Sequence, residues 1–182
     1  SENVLNIINS TYRDYWHNPS STYQPGIKCS TYLEKIRSNI ANIFEAQAED
    51  IIFTSGSSES TNIVFSNIYE TFKNGRIVIS NVEHQATNIC ANKLRKQNWD
   101  ICEWTVNNDG ILNLSDIDKT LTKETKLASI IWGQSEIGTI QPVQYIGSKC
   151  EELNIMFHLD GTQILSNGTV SYTHLTLPTK PS

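Results

Sequence analysis

A chain of 182 residues, 38% hydrophobic and 18% charged, has the composition of a soluble globular protein and enough length to bury one real core. Nineteen acidic against fourteen basic residues leave a formal net charge of −5, so no basic footprint speaks for nucleic acid or an anionic membrane as partner. No apolar run approaches the roughly 20 residues of a membrane-spanning helix, and the opening residues do not read as a signal peptide.

The chain opens on Ser1 rather than a methionine, which reads as a piece of a longer protein. Asn18-Pro19-Ser20-Ser21 through Pro25-Gly26 reads as a loop from its turn residues. A helix is expected next, with Leu33, Ile36, Ile40 and Ile43 on one face and Thr31/Glu34 as a capping box.

From about Asp50 to Gln163 one pattern repeats: a short β-branched run, a polar turn, then a stretch of helical period. The runs are Ile51 to Phe53, Ile77 to Ile79, Ile101 to Val106, Leu127 to Trp132, and Ile155 to Leu159. Phe65, Ile68 and Phe72 make one helical stripe, and Val143, Ile146, Cys150 and Leu153 another, with Pro142 in the first turn of the second helix. Strands alternating with helices of this length predict an α/β fold, a three-layer α/β/α sandwich around a mainly parallel sheet.

The last stretch breaks that pattern. From Thr169 the run VSYTHLTLPTKPS has no clean period and carries Pro178 and Pro181; it resembles a translated cloning adapter. Residues 1–168 are therefore expected to form the partial domain and 169–182 a non-native tail. Cys29, Cys90, Cys102 and Cys150 form no C-x-x-C pair and read as reduced thiols, mostly buried, in a reducing cytoplasmic compartment.

Ligands of a parallel sheet bind outside the carboxyl ends of its strands. Those ends carry Thr54 to Ser60, Glu83-His84, Gly133 to Glu136, and His158, Asp160 and Gln163. The Ser55-to-Ser60 loop opens a helix, and its free N–H groups suit an anion such as a phosphate; taken alone it reads rather as an ordinary serine-capped helix. It lacks the lysine of a nucleotide-hydrolysing P-loop and the G-x-G-x-x-G of a dinucleotide site. His84 alone reads as a satisfied core histidine. His158 and Asp160 share a strand face, but nothing nearby completes a metal site, so no metal is expected. A buried Asp160 needs a positive partner, and a protonated ring nitrogen on a ligand would serve.

FTSGSSES, the NVEH element, SEIGTIQP and FHLDGTQ, together with Asn18 to Gly26, stand in the order and spacing of cysteine desulfurases, which belong to the class V aminotransferase group of pyridoxal-phosphate enzymes. The chain resembles the large domain of fold-type I transferases from near Ser1 to about Gly168. The resemblance implies pyridoxal 5'-phosphate as cofactor, with Ser57 and Ser58 at its phosphate, Ser58 replacing a threonine. It implies His84 as the catalytic residue that stacks on the ring and assists proton transfer. Asp160 would pair with the pyridine nitrogen, and Gln163 and Ser135 would stand at the phenolic oxygen. Arg37 would be structural. L-cysteine as substrate, a homodimer and a sulfur-acceptor protein serving iron–sulfur assembly or tRNA thiolation are implied likewise.

Three departures accompany the resemblance. Gln134-Ser135 stands where the family reads Asn-Asn, the family's opening Asn-Ala-Ala-Thr-Thr strand is not found, and the Ser-x-His-Lys segment with the Schiff-base lysine is not found either; Lys180 has no Ser-x-His before it. Cys90 and Cys150 fall within helix patterns and Cys102 in a strand, none of them suited to a nucleophile. This polypeptide alone is therefore expected to bind cofactor weakly, without a covalent link, and not to turn over. The alternatives are another class V enzyme, such as a selenocysteine lyase or an aminotransferase, or a non-catalytic truncated partner subunit.

Overall fold

The computed structural model describes residues 1–165, so the expected non-native tail and Lys180 lie outside the described residues. The chain divides into two compact units, Ser1–Phe53 and a second beginning at Thr54.

The first unit holds α1 (Glu2–Asp14) and α2 (Gln24–Ile43). No residue of α1 is buried. The expected loop through Gly26 ends earlier than the turn residues suggest, because α2 already starts at Gln24 with Pro25 in its first turn, where a missing N–H costs nothing. Gly26 is required by close approach: a Cβ there would lie 2.7 Å from the Ser21 carbonyl and 2.8 Å from that of Asn18. Thr31 and Glu34 form no capping box, since both sit inside the helix. Thr31 Oγ1 donates back to the Ile27 carbonyl at 2.9 Å, and Glu34 pairs with Arg37.

Ile51 to Phe53 does not form the expected strand. Among the described residues no strand pairs with it, and the Ile51 carbonyl is taken by Nη1 of Arg37 instead. The Arg37 guanidinium also lies 4.8 Å from the Phe53 ring centre, so Arg37 fixes this extended segment to α2. A β-branched run becomes a strand only where a partner edge is available.

The second unit contains α3 (Ser57–Thr71), β1 (Arg76–Ser80), α4 (Gln85–Arg95), β2 (Asp100–Trp104), α5 (Ile117–Thr120), β3 (Thr125–Ile131), α6 (Val143–Glu152), β4 (Met156–Asp160) and α7 (Thr162–Leu165). Pro142 sits one residue earlier than expected, at the N-cap of α6. The four strands form one parallel sheet in the order β2-β1-β3-β4. Both faces of the central strands β1 and β3 are covered, which is why those two read as apolar runs rather than alternating ones. Ile77, Ile79 and Leu127 pack with Phe65, Ile68, Cys90 and Leu94 of α3 and α4 on one face. Val78, Ala128 and Ile130 pack with Ile117, Ile146 and Cys150 of α5 and α6 on the other. The result is the three-layer α/β/α sandwich expected from the sequence.

The strand order fixes where a ligand can sit. β1 leads through α4 to β2 on one side, and the chain then returns past β1 to place β3 on its other side. The winding direction reverses between β1 and β3, which opens a crevice at their carboxyl ends.

Candidate functional site

That crevice is a shallow cleft of about 80 Å³, lined by Ser57, His84, Ser135, Asp160 and Gln163 together with Ile131, Gly133 and Thr162. Five of the six residues singled out from the sequence thus converge. The sixth, Ser58, lies one residue into α3, exposed and outside the cleft lining.

Ser57 begins α3, whose N-cap is Gly56 and carries no side-chain cap bond. Gly56 adopts φ 150° and ψ 179°, a conformation open in practice to glycine alone. The Glu59 carboxylate turns back to Ser55, accepting from its N–H at 2.6 Å and its hydroxyl at 2.7 Å. Those bonds hold the exposed Glu59 below the usual carboxylate range. With Glu59 so engaged, the first-turn N–H groups and the positive end of a 15-residue helix face the cleft through Ser57, an arrangement that favours an anion.

His84 follows β1 and is the N-cap of α4. It is exposed rather than a core histidine, and its Nδ1 accepts the Ala86 N–H at 3.2 Å. An accepting Nδ1 puts the ring proton on Nε2. Ser135 lies on a tight loop closed by an isolated antiparallel bridge between Gly133 and Ile140. Gln134 caps that loop from within, its Oε1 accepting the N–H groups of Glu136 at 2.6 Å and Ile137 at 2.9 Å. Gln134 therefore shapes the loop, and Ser135 is the residue of the pair that reaches the cleft.

Asp160 ends β4. Its Oδ1 accepts both the Thr162 N–H at 3.1 Å and the Thr162 hydroxyl at 2.6 Å. Among the described residues no cation pairs with it, and its Oδ2 takes no hydrogen bond. His158, two residues earlier, does not reach the cleft; burial holds it below the ordinary histidine range, and its Nδ1 lies 2.8 Å from Ser129 Oγ. Among the described residues no three His, Cys, Asp or Glu side chains gather as metal ligands would.

Two features were missed in the sequence. Thr162 orients the Asp160 carboxylate; the Asp-x-Thr spacing is the signal that could have revealed it. Glu83, named with His84 at a strand end, is buried at 8% exposure and bonds Ile131 of the cleft wall, a burial that its charged character concealed. Burial pushes its carboxyl up to about 7, against hydrogen bonds from Ser80 and Ile131 that favour the ionised form. The thiols are poor nucleophiles as they stand. Burial raises Cys90 and Cys102, and pushes Cys150 up to about 12.

An anion-binding helix end and an unpaired carboxylate facing one cleft suit a ligand with a phosphate at one end and a protonated nitrogen at the other. Several known proteins are similar to this chain. A mitochondrial cysteine desulfurase from Candida maltosa is 34% identical over 163 residues, covering 88% of this chain and 34% of the relative. The cysteine desulfurase IscS of Clostridium botulinum is 33% identical over 166 residues, covering 90% and 42% respectively. A solved NifS-like protein superposes with a TM-score of 0.83 at 28% identity, over 87% of this chain and 45% of its own. The chain thus spans between about a third and a half of the length of the proteins it matches. Residues 1–177 match the family described as Aminotransferase class-V, and the chain belongs to that family.

Proposed function

We propose that the protein to which this chain belongs is a pyridoxal-phosphate-dependent cysteine desulfurase, converting L-cysteine to L-alanine and passing the sulfur on as a persulfide. The observation that carries this reading is one cleft with the α3 N-terminus at Ser57 and the cation-free carboxylate of Asp160 in its walls, in a chain similar to cysteine desulfurases. A cleft of this size lines one side of such a cofactor rather than enclosing it.

The α3 N-terminus and the Ser57 hydroxyl hold the phosphate. Asp160, oriented by Thr162, holds the proton on the ring nitrogen. Bound there, the cofactor supplies an electron sink for the substrate's α-carbon. His84 moves the proton at that carbon, with Nδ1 occupied by Ala86 and Nε2 the working atom. Ser135 and Gln163 position the ring oxygen. In the sulfur step an enzyme thiolate attacks the substrate Sγ, an S–S bond forms, the Cβ–S bond breaks, and the carbon skeleton leaves as alanine after protonation. None of Cys29, Cys90, Cys102 and Cys150 is assigned that role, since burial keeps the last three protonated and Cys29 is itself buried. A homodimer, an acceptor protein for iron–sulfur assembly or tRNA thiolation, and a reducing cytoplasmic setting complete the reading. Four free thiols support that setting.

The test is alanine and persulfide formation from L-cysteine by the longer protein, with Asp160→Asn as control. Stoichiometric alanine, lost in Asp160→Asn, is expected. Turnover of selenocysteine alone, or amino transfer without sulfur release, would overturn the reading in favour of another class V activity.

A further inference from the structure

β1 stops at Ser80, whereas its neighbour β3 runs on to Ile131. The two strands pair with Ile79 opposite Ser129, so Ile131 faces a position that β1 no longer supplies. On its other side Ile131 stands in register with Asp160. A buried N–H at the end of a ladder must find an acceptor. Glu83 provides it: Oε1 accepts the Ile131 N–H at 2.6 Å and the Ser80 hydroxyl at 2.5 Å. The side chain thus does the work of the missing strand carbonyl, at the point where the winding reverses.

The other oxygen, Oε2, is buried and makes no hydrogen bond. The groups around the carboxyl are the Ser80 hydroxyl from β1, the Ile131 amide from β3, Thr87 from α4 and the charge of Asp160 from β4, with exposed His84 adjoining in the chain. Thr87 Oγ1 is also buried and unbonded; it lies near enough to act on the carboxyl but not in bonding geometry. Among the described residues no cation pairs with Glu83. A buried carboxylate with one oxygen uncompensated and a second carboxylate acting on it is costly, and a proton removes that cost.

We infer that Glu83 is a positioning residue for the cleft wall: as a neutral acid it replaces the absent β1 carbonyl, fixes the end of β3 at Ile131 beside Asp160, and adds no second carboxylate charge next to Asp160. Burial pushing its carboxyl up to about 7 agrees with that geometry. The inference rests on reading the cleft as a pyridoxal-phosphate site for its purpose, though not for its proton.

The experiment compares wild type, Glu83→Gln and Glu83→Met, measuring unfolding against pH and binding of pyridoxal 5'-phosphate by fluorescence titration. Gln keeps the acceptor and cannot ionise; Met is neutral and of similar size but accepts nothing. The stability advantage of wild type over Glu83→Gln is expected to fall as pH rises from the ordinary 4.5 to about 7 and then to level off. Glu83→Gln is expected to bind the cofactor as wild type does, and Glu83→Met about tenfold or more weaker. A wild-type-to-Gln difference that stays flat with pH, or a Met variant that binds as wild type does, would overturn the inference. Failure of wild type itself to bind the cofactor would count against the site reading, while the pH dependence would still decide the Glu83 proton.

Discussion

The side chain of Gln141 closes on Gly110, its Nε2 donating to that residue's carbonyl at 2.7 Å while its Oε1 accepts the Leu112 N–H at 3.0 Å. Gln141 is 1% exposed, so neither bond competes with water. Its own N–H reaches the Trp132 carbonyl at 2.8 Å, which anchors the base of the loop carrying Ser135. Gln141→Ala strands a buried carbonyl and a buried amide at once. The expected loss is about 2–4 kcal/mol in urea unfolding, with a lower midpoint.

Gly56→Ala isolates the backbone cost at the helix end. A Cβ there meets nothing within 4 Å, so the penalty is conformational rather than steric packing. At φ 150° it amounts to about 1–3 kcal/mol. Relaxation of Gly56 would turn the first N–H groups of α3 away from the cleft. Weaker pyridoxal 5'-phosphate binding, read by fluorescence titration alongside the stability loss, is expected.

His158 titrates against Glu83 in sign. Burial lowers its pKa below the ordinary 6.5, so the unfolded chain takes up a proton there that the folded chain refuses. Its contribution to stability is present above pH 6.5 and is lost as pH falls through the lowered value. The difference in unfolding free energy between wild type and His158→Asn should shrink on acidification. Because the Glu83 term runs the other way, each is read only by subtraction of its own variant.

Cys150 offers a chemical reading of the core. With its thiol pushed up to about 12 and its side chain buried on the α6 face, it carries almost no thiolate at neutral pH. Iodoacetamide should leave it unmodified in the native protein and label it once urea is added, as peptide mapping by mass spectrometry would show.

Much of this fold was legible because the central strands β1 and β3 are buried on both faces, and a doubly buried strand writes itself as a plain apolar run. The run at Ile51 to Phe53 shows where that signal fails. Its residues are as β-prone as those of β1, but pairing is a property of the neighbour, and here an arginine takes the carbonyl. Helix α1 went unread although Val4, Leu5, Ile8 and Tyr12 make an apolar stripe at helical spacing; none of its residues is buried. The cleft residues were legible as polar groups at strand ends, and the strand order then brought five of them together. Glu83 was legible as a strand-end group too, but its burial was not, because a glutamate after a strand looks solvated until the end of β1 and the reach of β3 are known.

All four strands of the sheet run the same way, which leaves its two rims unequal. The far rim carries the turns around Asn74, Asn98, Lys123 and Asn154, and a five-residue strand separates them from the cleft by about 17 Å. Insertions, tags or dyes there sit outside the reach of the chemistry. A fluorophore at exposed Lys96 would report on folding while leaving the cleft's end of the sheet untouched.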